Sequence, residues 1–560
     1  MRIKTSLPIF LLMTACVFGQ PNVRDVRSAA GNLNPGLPGY GIAPGSLISI
    51  SGTTSSDAQT GAFPLSANLN GVSVKVAVGG QELDALMVSI TATRVLAVVP
   101  SQTPSGAGKV RVTDANGTKE LDVIIVPRNF GIFSQKASAG NVGSAYAMNL
   151  SDGGNVWNSL TTPAMPGQQV AILGSGAGAT TQDETSAVNA ETLAGNFQLY
   201  IGGQQATLIS AGRSGLGIDG LSLPAGLAGV DSIVAMVPAG VSGCRVSVVA
   251  ISEGALVSNF AAIAVSADGT TCSDPGFLSA DDINGLPATG SYNIGAISIS
   301  RFSLSLVAPP PIGTIDLNTD SAVATFQRID VGDYRSSGGG SYTSIGSCIV
   351  TFASDASDFD NNVTFTNLDA GAVINLKGPK GLTVMKQLPV TGGYGTASAT
   401  GSNSPFFPSQ GTPFAEAGLF TADNGAGGAD VKGFTANLNN PKPFTWTNQA
   451  QITEVTRSQG VNVTWTGGAS DASVIIIGSA QGKGNISAGF SCSAPASAGS
   501  FRVPPAVTLA LPAAAGAPGA GAASGALVVI SSTYSRFTAP GLDQGVFVSS
   551  GGSLKNLNYK

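Results

Sequence analysis

The stretches "IAPGSLISISGT" (residues 42–53) and "AMPGQQVAILGS" (164–175) follow one plan: a Pro-Gly turn, a short apolar run and a closing glycine. An apolar run entered by a turn and alternating at period two is the pattern of a β-strand with one buried face. The plan continues in both copies. The first runs on through "VAVGGQ" (76–81), "VLAVVPS" (95–101), "KVRVT" (109–113) and "LDVIIV" (121–126). The second runs on through "LYIGGQ" (199–204), "IVAMVPA" (233–239), "CRVSVVA" (244–250) and "FAAIAV" (260–265). Gly79 and Gly202 keep nearly the spacing set by Pro44 and Pro166, whereas Pro100 and Pro238 lie further apart. The second copy therefore carries an insertion, most simply residues 210–229.

Each copy holds about 100 residues of short strands separated by turns, which predicts an immunoglobulin-like sandwich. The Gly-Gly pairs suit tight hairpins, and the prolines closing "AVVP" and "AMVP" stop a strand because proline cannot donate to the ladder. The fold class expected is all-β: tandem immunoglobulin-like β-sandwiches, then a larger C-terminal β-sandwich region. The segments are a signal peptide (1–19), module 1 (28–133), module 2 (134–270), a polar linker (271–288) and a C-terminal region of one or two sandwiches (289–560). In that region "AISISRFSL", "CIVTFAS", "VNVTWTGG" and "SVIIIGS" again alternate.

The residues "APGSLISISGT…GVSVKVAVGGQ…VLAVVPS", followed by "GIFSQ…GSAYAMNLSDG…PAMPGQQVAILGSGAG", resemble a module of secreted acidobacterial proteins related to the IPT/TIG class of immunoglobulin-like domains. The resemblance covers residues 28 to about 270. Segments 427–434, 463–468 and 490–504 resemble a region that often follows these modules. The likeness implies a fold and a location outside the cytoplasm, and it leaves activity open.

Composition narrows the function. Of 560 residues, 75 are glycine and 31 proline, while only 11% are charged and 43% are hydrophobic, so the chain folds rather than staying disordered. The net charge is −5 with no cationic cluster, which argues against nucleic acid as a partner. There is no histidine, so Ser-His and Cys-His nucleophile pairs are excluded, and no G-x-S-x-G elbow occurs. The carboxylates are sparse, and no enzyme is expected.

Arg2 and Lys4 precede the apolar run Leu7–Met13, and Val17 and Gly19 are small enough for signal-peptidase cleavage after Gly19. A rival reading takes "MTAC" as a lipobox with Cys16 lipidated. Either way the mature protein is expected to be secreted or held at the cell envelope. No transmembrane span is expected, because the most apolar stretch (506–530) is broken by Pro512, Pro518 and several glycines. "PAAAGAPGAGAASG" (512–525) reads as a low-complexity loop.

Four cysteines remain in the mature chain, an even number for an oxidising compartment. Of the three pairings, Cys244–Cys272 and Cys348–Cys492 are expected; the first pins a strand to its module's exit, the second joins distant strands. A Cys272–Cys348 bridge would instead staple the linker to the C-terminal region.

The only cofactor the residues suggest is calcium. In "DFDNNVTFTNLD", Asp358, Asp360, Asn362 and Asp369 fall at positions one, three, five and twelve of a calcium loop, but Val363 stands where the sharp turn needs glycine. A looser set of Asp355, Asp358 and Asp360 is the alternative, and a polar turn entering a strand the plainer reading. Trp446 and Trp465 could stack on sugars but lie in alternating strands, where tryptophan fills sandwich cores. Trp157, in "DGGNVWNSL", is the better exposed aromatic unless it plugs the space between modules. The reading is a binding or structural protein whose extracellular ligand is a polysaccharide or another surface protein. A carbohydrate-active enzyme or its accessory domain is the runner-up, and a pure spacer the third reading.

Overall fold

The computed structural model describes residues 21–135, 142–274, 279–308, 313–336, 342–352, 365–389, 391–401, 411–441, 443–483, 486–515 and 524–560. The protein is all-β, built of antiparallel sheets that pack face to face.

Module 1 places β1 (Asn22–Ser28), β2 (Leu47–Thr53), β4 (Leu86–Ile90) and β5 (Arg94–Val98) in one sheet, in the order β1-β2-β5-β4. The facing sheet holds β3 (Val72–Val78), β6 (Gly106–Asp114) and β7 (Gly117–Ile125) in the order β7-β6-β3. Ile48, Ile50, Val74, Val76, Val95 and Val110 fill the space between them. Module 2 repeats this order with β8 (Ala147–Leu150), β10 (Gln169–Ser175), β13 (Asp231–Met236) and β12 (Thr207–Arg213), and a short β9 (Val156–Trp157) on the outer edge of β8. Its second sheet pairs β14 (Gly243–Ser252) with β11 (Phe197–Ile201) and β15 (Ala261–Val265). The hairpin after β11 turns through Gly202 and Gly203, both at positive φ, which costs glycine nothing.

β2 departs from simple alternation: Leu47 to Gly52 are all buried. Ile48 and Ile50 face the module's own core, while Leu47 joins Leu96 and Val98 in a second cluster with Leu173, Ile218, Leu223 and Leu227 of module 2. Leu47 N–H donates to Ser175 Oγ across the junction at 2.8 Å, and Ser101 donates to Glu184 through both its N–H and its hydroxyl. Residues 214–230, most of the insertion, therefore supply the apolar contact between the modules.

Of the segment 271–288, the described residues 271–274 and 279–288 make fixed contacts. Cys272 is bonded to Cys244, and Asp274 is buried. A short helix α1 (Ala280–Asn284) is capped reciprocally by Ser279 and Asp282. Asp282 also pairs with Arg536 at 2.7 Å. Polar groups of these described residues are spent on a local cap and on cross-domain bonds.

The C-terminal region is dominated by one 14-stranded sheet. Its centre is a long hairpin, β16 (Ser291–Ala308) and β17 (Gly313–Asp330), in register from Ser291↔Asp330 to Ala308↔Gly313. Outward from β17 run β21 (Tyr394–Gly401), β20 (Gly381–Gln387), β19 (Val373–Gly378), β22 (Gly418–Asp423) and β23 (Thr435–Asn440). Outward from β16 run β30 (Gln544–Tyr559), β29 (Ser524–Phe537), β26 (Ser473–Gln481), β27 (Ser487–Pro495) and β18 (Cys348–Phe352). β30 runs parallel to β16, an exception to the antiparallel rule of the molecule. The sheet turns back on itself until β23 meets β29 and β30, where Ser535 Oγ donates to Asn437 O and Ser549 Oγ to Asn440 Oδ1. Ile297, Ile299, Phe326, Tyr394, Phe420 and Phe547 are buried inside that turn. A second core lies between the β18 side of the sheet and a three-stranded sheet of β24 (Thr445–Trp446), β25 (Val461–Thr466) and β28 (Ser500–Val503).

The low-complexity loop falls partly outside the described residues. Before it, Pro505–Leu509 form a single helical turn, and Ala514 within it bridges to Tyr559. Among the described residues no helix is long and apolar enough to cross a membrane.

Candidate functional site

Trp446 and Trp465 are only 5% and 3% exposed and sit in the second C-terminal core, register partners on β24 and β25. Their ring N–H groups are satisfied internally, by Asn448 Oδ1 at 2.9 Å and Ala496 O at 2.8 Å. They are core residues. Asp355, Asp358, Asp360, Asn362 and Val363 lie outside the described residues, as does Cys16. Asp369 is described, and its carboxylate holds a turn: Oδ1 accepts from Gly371 N–H at 2.9 Å and Oδ2 from Ala429 N–H at 3.0 Å. Those two donors hold its carboxyl below the usual range. Among the described residues no three Asp, Glu, His or Cys side chains gather as a metal site. The structure joins Cys244 to Cys272 and Cys348 to Cys492; the latter pair are register partners on β18 and β27.

Trp157 is different. It is 45% exposed on β9, with Val156 at 49% and Met165 at 41%. Its ring meets Tyr146 edge-on, centroids 6.4 Å apart and planes at 84°. The backbone beneath is fixed at several points. Thr162 Oγ1 donates to Trp157 O at 2.7 Å. Asn158 Nδ2 donates to Ala264 O at 2.9 Å and to Asn149 Oδ1 at 3.0 Å, and Asn158 Oδ1 accepts from Ala264 N–H at 2.8 Å. β9 is two residues long and would fray alone; the Asn158 amide clamps it to β15 and β8. The result is an aromatic lip whose support is rigid and whose face is open. "NVW" in a polar segment pointed to Trp157, but nothing in the sequence pointed to Tyr146 as the ring it packs against.

A buried polar cluster at the boundary of module 2 and the C-terminal region escaped sequence reasoning. Arg245, in the strand "CRVSVVA", is 1% exposed. Its Nε donates to Tyr342 O at 2.8 Å and its Nη2 to Val142 O at 2.6 Å, and its guanidinium lies 5.9 Å from the Tyr342 ring centroid. Asp274 accepts from Cys244 N–H at 2.7 Å, Ser344 Oγ at 2.8 Å and Tyr342 Oη at 3.1 Å. Burial pushes the Arg245 guanidinium down to about 10 and raises the Asp274 carboxyl. These bonds tie module 2 to residues 274 and 342–344, so the cluster works as a joint between domains.

No family model and no curated protein matches the chain. Among solved structures it is similar to a Bacteroides ovatus surface protein of a mixed-linkage glucan utilization locus, in complex with a heptasaccharide. That likeness has 11% identity over 64% of this chain and 81% of that one, at a TM-score of 0.17. It is also similar to titin domains A168–A170, at 9% identity over 72% and 90% of the two chains and a TM-score of 0.13. An auxiliary nutrient binding protein of Bacteroides ovatus gives 11% identity over 78% and 94%, again at 0.13. At these TM-scores the likeness assigns neither a fold family nor a ligand.

Proposed function

We propose that this is an exported, non-catalytic binding protein that holds a polysaccharide against the Trp157 lip, its immunoglobulin-like modules being of the IPT/TIG kind. The observation that carries the reading is Trp157, a large aromatic left open on a strand whose neighbours are all pinned. Exposed aromatic faces on a rigid frame bind flat apolar surfaces such as the faces of sugar rings. Two disulfides support an oxidising destination. The absence of histidine from the chain supports a role without hydrolysis.

A glycan array probed with the mature protein tests this. A glycan hit should be lost by about thirtyfold in Trp157→Ala, the loss that goes with roughly 2 kcal/mol for an aromatic anchor. The variant should melt with the parent, since the side chain is exposed. Silence across the array favours a spacer, and turnover of a bound glycan favours an enzyme.

A further inference from the structure

Away from the Trp157 lip, the outer face of the C-terminal sheet carries a groove of about 330 Å³, within the usual range of small-molecule pockets, about 300–1,000 Å³. Its floor is made by three adjacent strands. Ile349 on β18, Ser491 on β27 and Ile477 on β26 form one cross-strand row, with Ser493 and Ile475 in the next. Tyr342 and Thr343 line it as well. Gly489 keeps the floor low: a Cβ there would meet only Gly478 O, at 3.3 Å.

Three features define what fits. First, no described lining residue is charged, so an ionic ligand would enter without a counter-charge. Second, Ile349, Ile475 and Ile477 give the floor its aliphatic part among serines and threonines, and the Ile477 row continues outside the groove through Val528 on β29 to Leu554 on β30, both half-buried. That continuation is a linear apolar track. Third, Thr343 Oγ1 and Ser493 Oγ, on residues only 4% and 3% exposed, have no hydrogen-bond partner among the described residues. Buried hydroxyls are ordinarily satisfied, so these two call for a partner from outside the chain.

We propose that the groove binds an unbranched alkyl chain with an uncharged hydroxyl head. The chain lies along the Ile477–Val528–Leu554 row, and the head reaches Thr343 and Ser493. The glycan reading is not needed for this, and Trp157→Ala should leave it intact.

Calorimetric titration of the full mature protein with 1-alkanols of six to ten carbons tests the proposal. Affinity should rise about fourfold per added methylene, the transfer free energy of one CH₂. Decanoate should bind more weakly than decanol. In wild-type protein the methyl NMR signals of Ile475 and Ile477 should shift on titration. Ser491→Phe, which fills the floor, should abolish binding, and Ser493→Ala should weaken it about tenfold without lowering the melting temperature. Absence of binding, affinity independent of chain length, or decanoate binding as well as decanol would overturn the proposal. So would unmoved Ile475 and Ile477 signals, a readout that stands even if Ser491→Phe fails to fold.

Discussion

Modules 1 and 2 share strand order, and they differ most at one connection. In module 1, β4 and β5 are joined by residues 91–93; in module 2 the equivalent strands, β12 and β13, are joined by 214–230. Long loops usually run over the surface. This one does the reverse, burying Ile218, Leu223 and Leu227 against Leu47, Leu96 and Val98 of its neighbour. Its base is locked by a fully buried ion pair between Arg213 and Asp231. Asp231 Oδ2 also accepts from Gly176 and Ala177 N–H at 2.7 and 2.8 Å. The relation between tandem sandwiches is thus set by what a loop contains and not by the length of chain between them.

The comparison breaks most directly if 214–230 is replaced by the three-residue connection of module 1. Each large apolar side chain withdrawn from the junction removes about 1.5–3 kcal/mol. Calorimetry should then resolve separate transitions for the two modules. A single unchanged transition would mean the loop is not what joins them. Asp231→Ala is the next largest effect: it leaves a buried guanidinium unpaired and should cost about 3–5 kcal/mol in urea unfolding. Leu227→Ala should cost about 2–5 kcal/mol by the same measurement, whereas Ile124→Ala, at a 52% exposed site of module 1, should stay within about 0.5 kcal/mol. Arg111→Ala, in the exposed lattice with Glu82 and Glu120 on module 1's outer sheet, should leave the melting temperature unmoved.

The smallest effect concerns Asp268, just after β15. Ser266 Oγ and Thr270 Oγ1 and N–H donate to its carboxylate, holding it down to about 2 against a usual 3.8. A depressed acid stabilises the fold above its unfolded value and loses that contribution as pH falls from about 4 through 2. Carboxyl-carbon NMR titration should place the midpoint near 2, and Ser266→Ala should raise it.

The strands, their period and the repeat were legible because turn residues and alternation are local signals. The burial of Ser49 and Ser51 was not: alternation in "LISIS" implies a polar outer face, and only the neighbouring module makes that face an interior. Arg245 was hidden for the same reason, since its partners Val142 and Tyr342 lie about 100 residues away on either side. At the candidate site, Trp157 could be singled out by the polarity around it. The Asn158 clamp could not, because the contacts that place it depend on β15. The groove on the C-terminal sheet left no trace at all, since its hydroxyls and isoleucines look like any alternating strand.

The position of β30 governs when the C-terminal half can exist. It lies between β16 and β29 at the centre of the large sheet, and Asn293 N–H reaches Asp543 across 250 residues of chain. As the polypeptide emerges, the β16–β17 hairpin must wait with one long edge open and Ile297 and Ile299 uncovered. Non-local pairing of this kind is slow, and an open edge invites pairing with another chain. Whatever compartment receives this protein must therefore shelter a half-made sheet until a distant strand arrives. A chain halted before Gln544 would leave the β16 edge of that hairpin with no partner to accept.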